Sequence, residues 1–199
     1  AIAIANALRK RHPEADILFV GAEEKMEMEK VPAAGYVIKG LPIDGLHRQL
    51  NWTNLKRNLL LPFKILKSNR MVKSIIRDFA PDIVIGTGGY VCAPVLTAAA
   101  KMGIRTAVHE SNSLPGITTN MLSKQVDKVL LPNEDALSHL THKENCVITG
   151  NPLRSNIPIE ERSEARKKLG LPEGMTIVSF GGSLGANKIS ESVAEVLEW

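Results

Sequence analysis

A doubly wound α/β fold, a parallel sheet with helices over both faces, is the fold class this sequence predicts, and three observations predict it. Short apolar, β-branched runs alternate along the chain with helix-like segments. The runs are near-continuously apolar, as strands buried on both sides are, and do not alternate as half-exposed strands do. Several of them end in glycine or in clustered polar residues just before a helix begins. In such folds ligands bind beyond the carboxyl ends of the strands, so function is to be sought in the strand-to-helix loops.

The elements follow in order. The chain opens on an alanine-rich helix, "AIAIANALRKRHPEAD", with no strand or cap before it, whereas a βαβ fold should start with a strand. The expectation is a chain that begins after its first strand and first loop. Strands are expected at 16–21 (DILFVG), 36–41 (YVIKGL), 82–88 (DIVIGTG), 105–110 (RTAVHE), 127–132 (DKVLLP), 146–150 (CVITG) and 176–182 (TIVSFGG). Between the second and third, residues 52–79 read as helical, with Leu61, Ile65, Val72, Ile76 and Phe79 on one face as a core stripe. A further helix, "VCAPVLTAAAKMG", follows the third strand. At "GNPLRSNIPIEERSEARKKLGLPEG", Pro152, Pro158 and Pro172 surround a charged helix, which marks a boundary. Residues 1–157 are expected to form one domain, and 158–199 the first βα unit of a second.

Composition narrows the classes. With 199 residues, 44% hydrophobic and 23% charged, the chain can bury a good core, and no apolar run approaches the ~20 residues that span a bilayer. Cys92 and Cys146 lack any CxxC or Cys/His ligand spacing, so they read as reduced thiols of a cytoplasmic protein, with no metal site, no cofactor and no signal peptide. The net charge of +4 is unevenly spread. Residues 45–77 hold eight of the 25 Lys and Arg and no acidic residue, which leaves 17 basic against 21 acidic residues elsewhere. One basic segment on an otherwise acidic chain points to an anionic partner at one place.

Three loops carry candidate chemistry. In "IGTGGYVCAP", Gly86, Gly88 and Gly89 sit where a strand turns into a helix, a place that serves either a diphosphate or a simple tight turn. In "HESNSLPG", His109, Glu110, Ser111 and Asn112 crowd a strand end. His109 and Glu110 there are candidates for a general base or a sugar-hydroxyl partner, and Asn112 both donates and accepts. The plainer reading makes Asn112 and Ser113 helix caps and His109 a core histidine. In "SFGGSLGAN", Gly181, Gly182, Ser183 and Gly185 form a phosphate cradle with a hydroxyl, without Walker or dinucleotide spacing.

Taken in order, "GTGGYV", "HESN", "GNPLR" and "FGGSLGA" resemble the MurG family, the N-acetylglucosaminyltransferases of peptidoglycan synthesis. That resemblance covers essentially the whole chain. It implies the GT-B arrangement of two Rossmann-like domains and an inverting, metal-free transfer of N-acetylglucosamine from UDP-N-acetylglucosamine to the 4-hydroxyl of the muramoyl sugar of lipid I, giving lipid II. The place implied is the cytoplasmic face of the bacterial inner membrane, with the protein bound peripherally. By the same similarity Asn112, Arg154 and Ser183 match donor-binding positions, and Gly88, Gly89 and Tyr90 match the loop that meets the acceptor diphosphate. The family's glycine loop with a histidine precedes its first helix, and its uracil and ribose contacts come later in the second domain. Neither falls within these residues, so the chain resembles an amino-terminal portion, itself expected to be inactive.

A second stripe on the helix over 52–79 fits that setting. Trp52, Leu55, Leu59, Phe63 and Leu66 share a face, with Lys56, Lys64 and Lys67 alongside, the pattern of a helix on an anionic membrane surface. A helix buried on two sides is the other reading, and Pro62 kinks either one. Two rival functions are a UDP-sugar epimerase of the same architecture and a non-enzymatic module that binds a membrane surface or nucleic acid. Nucleic acid is disfavoured because Trp52 and Phe63 alone supply aromatics in the basic segment.

Overall fold

A computed structural model gives the structure of the chain and describes residues 1–43, 68–153, 160–179 and 187–197. It divides into two compact units, Ala1–Ser155 and Asn156–Trp199.

The first unit carries six parallel strands: β1 (Leu18–Ala22), β2 (Val37–Leu41), β3 (Ile83–Gly86), β4 (Arg105–His109), β5 (Lys128–Leu131) and β6 (Cys146–Ile148). Every expected strand in this unit is present, each shorter than its apolar run. The ladders form two parallel sheets, β1-β2 and β3-β4-β5-β6. Parallel neighbours need helical crossovers: α2 (Glu27–Ala33) joins β1 to β2, α4 (Cys92–Lys101) β3 to β4, α5 (Ile117–Leu122) β4 to β5 and α6 (Glu134–Ser138) β5 to β6, while α1 (Ile2–Arg11) precedes β1 and the helical residues 68–79 (α3) precede β3.

The period of two along β1 explains how this sheet is covered on both faces. Leu18, Val20 and Ala22 pack with Leu41, with Val72, Ile75 and Ile76 of α3, and with Ala98 and Ala99 of α4. Phe19, on the other face, packs with Ala5 of α1, Val31 of α2 and Tyr36. Tyr36 is fixed there by a hydrogen bond from its hydroxyl to Asn6 Oδ1 at 2.7 Å and by the Arg9 guanidinium 4.3 Å from its ring centre. Val84 of β3 touches both the core around β1 and the core around β4 and β5, so the two sheets share packed side chains. In α3 the expected core stripe is present at Val72 and Ile76, whereas Phe79, in its last turn, is 36% exposed. Leu61 and Ile65 lie outside the described residues.

The second unit holds α7 (Arg162–Leu169) and α8 (Asn187–Leu197). Gly170 closes α7 in the left-handed conformation at φ 64°, and the Arg166 guanidinium reaches the carbonyls of Pro172 and Gly174. The strand expected over 176–182 is not formed in its described part. Residues 176–179 are exposed and unladdered, with Ile177 81% and Val178 73% exposed. A strand is held by hydrogen bonds to a neighbour, and among the described residues of this unit no second strand supplies them.

Candidate functional site

Beyond the carboxyl ends of β3 and β4 lies a cleft of about 260 Å³, lined by residues 87–89, 110–112 and 116–119. The glycine turn makes one wall. Gly88 and Gly89 stand at φ +87° and +80°, a left-handed conformation that glycine adopts without penalty, and an added Cβ at either would meet open space. Gly86 is a glycine for a different reason, because its Cα faces Cys92 Sγ and the Leu96 side chain of α4 at close range. Burial pushes the Cys92 thiol up, partly offset by the Gly88 and Thr87 backbone amides against its sulfur, so it packs in the core beneath the turn as a neutral group.

Glu110 organises the opposite wall. The residue is 5% exposed, and its carboxylate accepts five hydrogen bonds. Oε1 takes the Ser111 N–H at 2.9 Å, the Asn112 N–H at 3.0 Å and Asn112 Nδ2 at 2.8 Å. Oε2 takes the Gly116 N–H at 3.0 Å and the Thr119 hydroxyl at 2.7 Å. Burial by itself would raise its pKa, but the donors from Thr119, Gly116, Asn112 and Ser111 outweigh it and hold the carboxyl below its ordinary value.

Neighbouring strand ends hold the same loop. His109 is 3% exposed and its Nε2 lies 3.3 Å from the Gly150 carbonyl, which as an acceptor requires Nε2 to carry the proton. Asn151 Nδ2 donates to the Ser111 carbonyl at 3.1 Å, and Asn133 Nδ2 to Ser113 Oγ at 2.8 Å. Asn133 also caps α6, its Oδ1 accepting from the Ala136 N–H at 2.9 Å.

Of the residues singled out in the sequence, Gly88, Gly89, Glu110, Ser111 and Asn112 come together in the cleft. His109 lies behind that wall, bonded to the loop after β6, and Tyr90 opens the turn into α4, 37% exposed; neither is among the residues lining the cleft. Arg154 and Ser183 lie outside the described residues, as do Trp52, Leu55, Leu59, Phe63, Leu66, Lys64 and Lys67. Sequence reasoning missed Thr119, Asn133 and Asn151. The first carries no local signal. Asn133 had one, an Asn followed by Glu134 and Asp135, which is the start of a capped helix. Among the described residues no three His, Cys, Asp or Glu side chains stand together as a metal site would need, and no helix is long and apolar enough to cross a membrane.

Three comparisons bear on what such a cleft does. The pattern of the glycosyltransferase family 28 N-terminal domain matches residues 1–131. A UDP-N-acetylglucosamine--N-acetylmuramyl-(pentapeptide) pyrophosphoryl-undecaprenol N-acetylglucosamine transferase from Phocaeicola vulgatus is 44% identical over 201 aligned residues, which take in 100% of this chain and 52% of that protein. The chain thus spans about half the length of the curated relatives it matches. Among solved structures, MurG from Acinetobacter baumannii aligns with a TM-score of 0.59 at 25% identity, over 78% of this chain and 42% of that one. MnaA from S. aureus, solved with UDP, aligns with a TM-score of 0.56 at 16% identity, over 84% and 47%, a likeness of fold alone.

Proposed function

The chain belongs to glycosyltransferase family 28 through its N-terminal domain, and from that premise we propose that it serves the transfer of N-acetylglucosamine from UDP-N-acetylglucosamine to a pyrophosphoryl-undecaprenol-linked N-acetylmuramyl acceptor, lipid I, yielding lipid II. The observation that carries this reading is sequence identity of 44% along the full chain to a transferase named for that reaction. The cleft supports it, since a glycine turn and a polar loop beyond adjacent parallel strands stand where doubly wound folds bind their ligands.

In this proposal the turn at Gly88 and Gly89, with Tyr90 beside it, approaches the acceptor diphosphate, and Asn112 meets the sugar. The division at residue 157 separates an acceptor-side domain from the opening of a donor-side domain to which Ser183 belongs. Arg154, a planar and permanently charged side chain, suits the UDP leaving group. The basic, apolar stripe from Trp52 to Lys67 holds the protein peripherally at the cytoplasmic face of the membrane. The epimerase reading rests on a likeness of fold and is not adopted.

Steady-state kinetics of the intact protein with UDP-N-acetylglucosamine and a lipid-linked muramyl acceptor test the proposal. Asn112→Ala is expected to lower kcat/KM for the donor by a factor worth roughly 2–4 kcal/mol. Wild-type kinetics in that variant would reject the assignment of Asn112, and the absence of any transfer by the intact protein would reject the function.

A further inference from the structure

An ionised carboxylate offers about four lone-pair positions and no donor. Glu110 meets five donors, three on Oε1 and two on Oε2, so none of its lone pairs is left over for a substrate proton. A general base needs a lone pair within reach of the proton it takes. The donors come from Ser111, Asn112, Gly116 and Thr119, all of them in the loop or the helix that line the cleft with it. Glu110 therefore sits where an external anion would otherwise bind, and fills that place from within the chain.

This arrangement also decides the orientation of one amide. Because the carboxylate only accepts, the Asn112 side chain must turn Nδ2 toward it, and the 2.8 Å bond to Oε1 has that polarity. Oδ1 is then the free face of the amide, and among the described residues no donor reaches it. We propose that Glu110 is a positioning residue: it holds loop 111–116 and fixes the Asn112 amide so that Oδ1 is presented to the cleft, which selects a ligand group that donates a hydrogen bond. A hydroxyl or an amide N–H of a neutral sugar fits this wall. A phosphate does not, since it would bring acceptor oxygens against Oδ1 and a second negative charge beside the carboxylate. The anion is left to the glycine turn at 87–89 across the cleft. The naming of the sugar rests on the transferase reading above; the polarity of the amide does not.

The comparison of Glu110→Gln with Glu110→Ala in the intact protein separates positioning from base catalysis. A glutamine keeps a carbonyl oxygen for the three donors at Oε1; its NH2 in place of Oε2 loses the Gly116 N–H and reverses the Thr119 bond, the hydroxyl turning to accept, so kcat/KM for UDP-N-acetylglucosamine should fall within about tenfold of wild type, with the pH profile unchanged. Alanine frees the Asn112 amide and should cost ~100-fold or more, but under ~3-fold when Asn112→Ala is already present, because both changes remove the same contact. A glutamine variant as impaired as the alanine variant, or one that loses the acid limb of the pH profile, overturns the proposal. If the alanine variant does not fold, the glutamine arm decides. A nitrogen-15 NMR spectrum of wild type gives a readout independent of turnover. The Ser111 and Asn112 backbone protons and the Asn112 side-chain amide should lie downfield and move upfield in Glu110→Gln, as a charged acceptor becomes neutral. Unmoved resonances overturn the positioning role. Shifted resonances in a protein that transfers no sugar uphold it and reject only the substrate.

Discussion

At the scale of single residues, the three glycines at the end of β3 and in the turn that follows it are glycines for two separate reasons, and substitution should tell them apart. Gly88 and Gly89 need backbone freedom, so alanine there costs about 1–2 kcal/mol of conformational strain with no overlap. Gly86 needs space. An alanine methyl would sit 2.7 Å from Leu96 Cδ1 and closer still to Cys92 Sγ, and both residues are buried. Gly86→Ala should therefore lose about 2–3 kcal/mol by overpacking, and Gly86→Ala with Cys92→Ala should regain part of it by removing the sulfur. Denaturant titrations of the three proteins check this; a single variant as stable as wild type would mean that the α4 side chains yield without cost.

Among the described elements, α6 is the one most dependent on a single side chain. At five residues it is too short to persist on helix propensity, and Asn133 supplies both its N-cap bond to Ala136 and a tie to Ser113 in the site loop. Asn133→Ala should cost about 1 kcal/mol from the cap alone, read from the urea midpoint. The same substitution should shift the amide resonances of Ser113 and its neighbours, while Asn133→Asp, which keeps the cap but not the donor, should restore the midpoint and leave those shifts changed. The contrast between β4 and residues 176–179 belongs to this scale too. Both are apolar runs, but β4 has β3 and β5 on its two sides and buries Thr106, Ala107, Val108 and His109, whereas residues 176–179 are exposed.

For the molecule as a whole, stability should fall with acid in a way that two carboxylates dictate. The donors around Glu110 overcome the upward push of its burial, and the Thr106 backbone N–H and then its hydroxyl hold Asp127, so both folded-state pKa values lie below ordinary ones. A group whose folded pKa is depressed contributes stability that is fully present above its unfolded pKa and is lost as pH falls through the folded one. Urea midpoints should thus be flat down to about pH 5 and drop from about pH 4 downward, the ordinary carboxyl range. Glu110→Gln should lower the neutral-pH midpoint and flatten that decline, because a group that does not titrate carries no linkage. An acid decline of unchanged slope in the variant would show that Glu110 titrates alike in the folded and unfolded chains.

The sequence by itself determined the strands and crossovers of the first unit, because an apolar, β-branched run between helix-like segments has few ways to be buried other than in a parallel sheet covered on both faces. It also placed Gly88, Gly89, Glu110 and Asn112 near strand ends, since glycines and polar residues at those points are visible one loop at a time. What Glu110 does there was decided only by tertiary structure. Its partners Gly116 and Thr119 stand six and nine residues further on and reach it through a turn whose shape no pattern announces. His109 reads in the sequence either as a candidate base or as a core histidine, and its contact with Gly150 exists only because the loops after β4 and β6 converge beyond the sheet. Chain order fixes which residues are adjacent along a loop, but the partner of each lone pair is set by which strand ends the sheet brings side by side.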